Sequence, residues 1–212
     1  MHIQTSDQEK LGLGFGGYSC NWGTHICGFY ETDHERDEVI FGFLRQGLRD
    51  GDYCLGCTVE QDPREFAAAL RAGLAKHGEN LDIVRPRQLY YPDGTFSPRA
   101  MDRVLSDYYA KSQSHGRRHI RGAAEMAWAL EAIPGVELLM VYESRLNYFI
   151  PGKPWVSICL YDLRRFSGAT VMAVLQTHPY MISQRTLLEN PYYQSPNDWL
   201  LKNAPEYLDR AA

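Results

Sequence analysis

Short apolar runs alternate with amphipathic stretches along most of this chain. His25–Tyr30 is an apolar run of β character. Between Asp37 and Arg49, residues Val39, Ile40, Phe43, Leu44 and Leu48 recur at helical spacing, and Asp50-Gly51 closes the helix. Tyr53–Val59 is a second apolar run, too short for a helix. Strand, helix and strand in that order form a βαβ unit, which predicts parallel strands joined by a right-handed crossover. The same alternation continues. A helix starts at Asp62-Pro63, runs through Phe66, Leu70 and Leu74, and ends at His77-Gly78. Leu81–Val84 is a strand, and Arg87–Thr95 holds a turn at Tyr90–Gly94. Ser97-Pro98 caps a helix that carries Met101, Val104, Leu105, Tyr108 and Tyr109 to about His115.

His119–Trp128 is the next strand and its exit, and Pro134–Phe149 is a long amphipathic helix ended by Pro151-Gly152. Trp155–Tyr161 is the most continuous apolar strand, as a central parallel strand should be. Ala169–Gln176 is a helix, Thr177–Ser183 a short last strand, and Trp199–Leu208 a short helix in the tail. The expected class is α/β, one domain with a mostly parallel sheet and helices on both faces. Residues 1–21 are glycine-rich and aperiodic, and read as a flexible arm or an edge segment. Residues 22–196 form the domain, and 197–212 the tail.

In open α/β sheets ligands sit beyond the carboxyl ends of the strands, so Glu31–Arg36 is the first loop to consider. It reads ETDHER where a nucleotide-binding protein would carry a glycine-rich phosphate loop. The chain has no Gly-x-x-x-x-Gly-Lys-Ser/Thr, so no Walker A loop is present in the sequence. The GLGFGG run near the start neither follows a strand nor opens a helix, which makes it a weak dinucleotide signal.

Composition narrows the classes further. Apolar content of 44% over 212 residues allows a full core, and a net charge of −4 gives no nucleic-acid footprint. No leader opens the chain and no apolar run reaches about 18 residues, which leads to a cytoplasmic expectation without membrane contact. Five cysteines fit reduced thiols. Cys54 and Cys57 lie three apart in a strand, so they point to opposite faces and do not readily share a metal. Cys20, His25 and Cys27 form a looser cluster that packing explains better than ligation. No metal ligands, catalytic residues or cofactor are assigned. The chain lacks Gly-x-Ser-x-Gly and His-Glu-x-x-His, and the expectation leans away from an enzyme.

Several blocks occur in a telling order: HICGFY, RGAAEMAWAL, PGVELLMVYESRLN, ICLYDLRRF, then THP and NPYY. Together they resemble the MEDS family, a sensory domain named for methanogens, methylotrophs and a dichloromethane-responsive repressor. The resemblance covers roughly Trp22 to Pro196. It implies a three-layer RecA-like fold that has lost its phosphate loop and senses hydrocarbon derivatives or related small molecules. Family members are often fused to DNA-binding, kinase or anti-sigma-antagonist modules. No second module is legible here, so output is expected to pass through a separate regulatory protein. The RecA-like ancestry leaves homo-oligomerisation open. Where the family usually carries Met-Ser-Trp, this chain has Met126-Ala127-Trp128, without the hydroxyl.

The residues themselves single out much the same set. Glu125 lies at the end of a strand, Asp162 ends the most buried strand, Glu143 and Asn147 sit on the apolar face of a helix, and His25 opens the first strand. A carboxylate in such a place must be paired or shift its pKa. With His178 and the aromatic Tyr30, Trp128 and Tyr161, these residues are expected to line one pocket for a small, largely apolar organic ligand. Structural readings stand beside this one. Asp162 can pair with Arg164 or Arg165, Glu143 and Asn147 can bond each other or tie down Arg121 or Arg145, and His178 can cap a helix. Tyr90, Tyr91, Tyr192 and Tyr193 suggest a lid or partner surface. Two alternatives to the sensor remain: a ligand-free pseudo-ATPase scaffold acting by protein–protein contact, and a residual nucleotide-binding enzyme.

Overall fold

In the computed structural model, residues 10–74, 80–114, 116 and 119–209 are described; the expected helix ends at His77-Gly78 and His115 lie outside them. Seven strands form the main sheet: β3 (Thr24–Tyr30), β4 (Tyr53–Cys57), β5 (Leu81–Val84), β6 (Ile120–Glu125), β7 (Trp155–Asp162), β8 (Tyr180–Ser183) and β9 (Thr186–Glu189). Their order is β5-β4-β6-β7-β3-β8-β9, parallel throughout except for the terminal β8–β9 pair. β7 lies at the centre, which is why its eight residues read as a near-continuous apolar run. The expected βαβ unit is present with one change. β3 and β4 are parallel but not neighbours, because β7 and β6 lie between them.

Period-two alternation along the strands divides two cores. Ile26, Tyr30, Val156, Ile158 and Leu160 face α1 (Asp33–Asp50) and α2 (Pro63–Arg71). Cys27, Cys159 and Tyr161 face the other side, where α3 (Pro86–Leu89), α4 (Pro98–Ser114), α5 (Leu139–Phe149) and α6 (Gly168–Thr177) pack. The result is a three-layer α/β domain. Cys54 and Cys57 accordingly fall into different cores. A last helix, α7 (Pro196–Asn203), lies against α5 through Trp199 and Leu200. No helix among the described residues is long and apolar enough to cross a membrane.

Two local readings need correction. Glu31–Arg36 is not a loop but mostly the first turn of α1. Thr32 Oγ1 accepts the Glu35 amide at 3.2 Å, while Glu35 Oε2 accepts the Thr32 and Glu31 amides at 3.3 and 2.8 Å. This capping box fixes the helix start at Asp33 and leaves only Glu31-Thr32 as the β3–α1 connection. The second concerns the glycine-rich start. β1 (Leu11–Gly12) and β2 (Ser19–Cys20) form a small antiparallel hairpin, with Leu11 and Leu13 buried in the α1-side core. Gly14 has a φ of 81°, and a Cβ there would stand 2.2 Å from Gly42 O on α1. The glycine lets two backbones touch; it does not cradle a phosphate.

Candidate functional site

The sequence-predicted residues do not line one pocket. They fall into three places, and the most unusual is a polar cluster inside the core between the sheet and α5–α6. β3 brings His25 to this face, β7 brings Cys159 and Tyr161, α5 brings Glu143 and Asn147, and the end of α6 brings His178. His25, Glu143, Tyr161 and His178 are each at most 1% exposed. Glu143 is the hub. Its Oε1 accepts the Tyr161 hydroxyl at 2.7 Å. Its Oε2 lies 3.2 Å from His25 Nε2, 3.4 Å from His178 Nε2 and 3.6 Å from Cys159 Sγ. Burial pushes the Glu143 carboxyl up, but the imidazoles of His178 and His25 outweigh it and hold the group below the usual carboxylate range. Burial and the adjoining His178 hold His25 down at about 4, so its ring is neutral near pH 7. Burial likewise keeps the Cys159 thiol protonated, well above its ordinary value.

Asn147 joins this cluster through the backbone. Its amide donates to Glu143 O and to Thr177 O, at 3.1 and 2.7 Å, and so braces the residue before His178. Neither Arg121 nor Arg145 takes part. Arg121 is fully buried on the opposite face with Asp52 and Asp50, both at 2.7 Å, and Arg145 pairs with Asp102 and Asp209. Gly47 makes room for Arg121, since a Cβ there would meet its Cδ at 2.5 Å. Of the loose grouping of Cys20, His25 and Cys27, only Cys20 is separated, since Cys27 shares His25's face of the sheet. Cys20 packs in the α1-side core, and Cys27 Sγ contacts Tyr180 O at 3.6 Å. Cys159 was missed because a thiol in an apolar strand reads as a small apolar residue. The signal available was alternation: Cys159 and Tyr161 share a face, and Cys159 is in register with Cys27.

The second place is the carboxyl edge of the sheet. Tyr30, Arg36, Glu60, Asp162, Arg164 and Arg165 surround a cleft of about 280 Å³. Arg164 clamps Asp162 through Nε at 2.8 Å and Nη2 at 2.7 Å and reaches Asp33 at 2.9 Å, so Asp162 is a paired carboxylate. Glu125 is buried beside this cleft and ties down the β4–α2 loop. It accepts the Val59 and Glu60 amides at 2.9 and 3.2 Å, with Arg36 Nε at 3.6 Å. Burial raises its carboxyl pKa despite those donors. Across the same loop lies an open cleft of about 800 Å³ between α1 and α2, floored by Phe41, Phe66 and Ala69 and rimmed by Asp37, Glu38, Glu60, Asp62 and Glu65. Glu60 borders both clefts and pairs with Arg165 at 3.2 Å.

Trp128 marks the third place, an aromatic core. Its ring stacks on Tyr90 at 4.5 Å and meets Phe96 at 5.2 Å. Tyr90 and Phe96 are buried, so the segment between them is pinned at both ends and is not a free lid. Asn190 is pinned as well, donating to Leu175 O and His178 O at 2.6 Å each. Tyr192 is exposed, while Tyr91 and Tyr193 are half-buried.

The chain is 24% identical to the transcriptional repressor DcmR of Methylorubrum extorquens over 163 residues, 76% of this chain and 60% of that protein, so it spans less than two thirds of the repressor's length. It is similar to the crystal structure of a KaiC-like protein from Pyrococcus horikoshii, with a TM-score of 0.55 and 13% identity over 82% of this chain and 79% of that one. Flagellar accessory protein FlaH of Methanocaldococcus jannaschii gives a TM-score of 0.50 at 12% identity over 81% and 77%. At such identities the likeness establishes the fold, which is that of RecA-like proteins. The family described as MEDS, MEthanogen/methylotroph, DcmR Sensory domain, matches residues 24–179, a span that includes every member of the buried cluster, and the chain belongs to that family.

Proposed function

We propose that this protein is a sensory domain that takes a small organic molecule in the α1–α2 cleft and passes its occupancy to a separate regulatory protein. The observation that carries this reading is the cleft itself, together with membership of a sensory family. Its volume of about 800 Å³ and its Phe41, Phe66 and Ala69 floor suit an apolar body. Its rim holds five carboxylates, which repel anions and favour a neutral or cationic ligand. The wall that would respond is the β4–α2 loop, because Glu60 and Gln61 line the cleft while Glu125 holds that loop by its backbone. A ligand shifts the protein only to the extent that it prefers one arrangement of this loop. The Glu60–Arg165 pair couples that choice to the carboxyl edge of the sheet.

The test is calorimetric titration of purified protein with short alkanes, haloalkanes, alcohols and amines. Binding by at least one class is expected, and it should vanish in Ala69→Trp, which fills the cleft from an exposed helix position. Binding that survives Ala69→Trp, or no heat with any class, overturns the assignment of the cleft.

A further inference from the structure

The buried cluster at Glu143 is poorly explained as a hydrogen-bond network alone. His178 Nδ1 lies 2.8 Å from Val174 O and 3.1 Å from Thr177 Oγ1, which itself donates to Val174 O. A carbonyl oxygen only accepts, so Nδ1 of His178 carries a proton, and in the neutral ring Nε2 then carries a lone pair. That lone pair faces Glu143 Oε2 at 3.4 Å, acceptor against acceptor, and Nε2 has no hydrogen-bond partner. On His25, Nδ1 makes no hydrogen bond of ordinary geometry either, although the Asn147 side chain lies near the ring. Both rings are at most 1% exposed, so bulk water does not reach them. Buried polar atoms left in this state are rare and call for a cause.

A cation supplies one. Histidine ligands commonly donate one ring N–H to a backbone carbonyl, which fixes the tautomer and presents the other nitrogen to a metal. His178 has this arrangement through Val174 O, and Asn147 braces the preceding carbonyl. The donor atoms of His25, Glu143, Cys159 and His178 all lie within 4.8 Å of one another. Four of the pairwise distances are 3.2, 3.4, 3.5 and 3.6 Å. A tetrahedral ion with bonds of about 2.0–2.3 Å has donor–donor edges of about 3.3–3.8 Å. Those four edges are already close to that figure, and the other two are within 4.8 Å. Tyr161 occupies the far oxygen of the carboxylate, Oε1, and leaves Oε2 toward the other donors.

We propose that His25 Nε2, His178 Nε2, Cys159 Sγ and Glu143 Oε2 form a four-coordinate site for a divalent transition-metal ion of the zinc class. Two imidazoles, a thiolate and a carboxylate exclude magnesium and calcium and suit a borderline ion. Charge balances as well. The ion displaces the Cys159 proton to solvent, and two positive charges then meet one thiolate and one carboxylate in the apolar interior. All four positions come from the protein, so the ion has no open coordination site. It acts as a clamp that ties β3, β7, α5 and the end of α6 together, two residues before β8 begins. The inference stands apart from the α1–α2 cleft, which lies on the other face of the sheet, and neither depends on the other.

Because the donors are sealed, the ion should enter during folding and leave only on unfolding. The full chain is therefore purified from zinc-supplemented cells, washed with chelator, and assayed for metal before and after denaturation; a second sample is refolded with Co²⁺. One ion per chain is expected, retained through the chelator and released on unfolding. The cobalt form should show a thiolate-to-metal charge-transfer band. Cys159→Ser should abolish that band, while Cys27→Ser, whose sulfur contacts Tyr180 O, should keep it. If Cys159→Ser does not fold, the wild-type cobalt spectrum and metal stoichiometry decide alone. Protein that folds fully with no bound zinc or cobalt overturns the proposal, as does a bound ion whose spectrum lacks the thiolate band or is indifferent to Cys159.

Discussion

The Tyr161 hydroxyl donates to Glu143 Oε1 at 2.7 Å, linking the central strand of the sheet to the middle of α5. Both groups are fully buried, so no water replaces the bond if the hydroxyl is removed. Tyr161→Phe keeps the ring and its edge contact with Phe166 but leaves one carboxylate oxygen without a donor. A hydrogen bond to a buried charge is worth roughly 1.5–3 kcal/mol, and the variant should lose about that much. Urea unfolding is the measurement, with the midpoint falling and the m-value unchanged. An unaltered midpoint would show that Glu143 draws nothing from Tyr161.

Glu125 makes a different demand, because its partners are backbone amides rather than side chains. With Val59 N at 2.9 Å and Glu60 N at 3.2 Å, the carboxyl group holds the first residues after β4 in place. Glu125→Ala strips both amides of their acceptor. Their hydrogen exchange should accelerate strongly relative to the strand amides of β4, and stability should fall by roughly 2–3 kcal/mol. Glu125→Gln retains an acceptor oxygen and should fall between the two. Exchange at Val59 and Glu60 that matches wild type would remove Glu125 as the anchor of this loop.

The legibility of the chain followed the strength of local signals. Leu81–Val84 was readable to the residue because three of its four residues are apolar and Asn80 and Arg85 bound it. β9 was not, since its turn from β8 passes through Gln184 and Arg185 with φ of 49° and 62°. Such a turn normally advertises itself with glycine or asparagine, and here it does not. The start of α1 could have been read: Thr32 and Glu35 are the two ends of a capping box, hidden by the acidic appearance of the segment. Five of the candidate residues, His25, Glu143, Asn147, Tyr161 and His178, meet in space because strand and helix periodicity bring them to one face. Glu125 and Asp162 depart from them because alternation turns both, with Tyr30, to the α1 side of the sheet, and Trp128 because it lies beyond the end of β6. Periodicity says which face a residue takes, but not that β6 and β7 lie between β4 and β3.

Acid should act on Asp162 in a predictable sense. Burial pushes its carboxyl up, but the Arg164 guanidinium outweighs burial and holds the group below its ordinary value. A carboxyl depressed in the folded state contributes stability that is present above its unfolded pKa of about 3.9 and is lost as pH falls through the folded value. Arg164→Ala removes the guanidinium clamp from a nearly buried carboxylate and leaves it only the residue 164 amide and the more distant Arg165 charge. The variant should therefore be less stable than wild type near pH 7, and the gap should narrow as pH drops below about 4. Urea midpoints at pH 7, 5, 4 and 3 test this. A gap that is constant with pH would mean that Arg164 acts through packing alone.

The contact between Gly14 and Gly42 carries the last prediction, because two physical effects of opposite sign meet there. Gly42 lies inside α1, where alanine is intrinsically better by about 1 kcal/mol. A Cβ at that position, however, would stand 2.8 Å from Gly14 O, and backbone on both sides cannot yield as a side-chain tip would. Overpacking of this kind costs typically about 1–3 kcal/mol, so Gly42→Ala should be destabilising despite its helix propensity. The hairpin should be what gives way. Exchange of the Leu13 amide, which donates to Tyr18 O at 2.8 Å, should quicken more than that of any α1 amide. A thermal midpoint raised by Gly42→Ala would mean that the hairpin does not hold this close approach in solution, and that the glycines of residues 11–20 serve some other purpose.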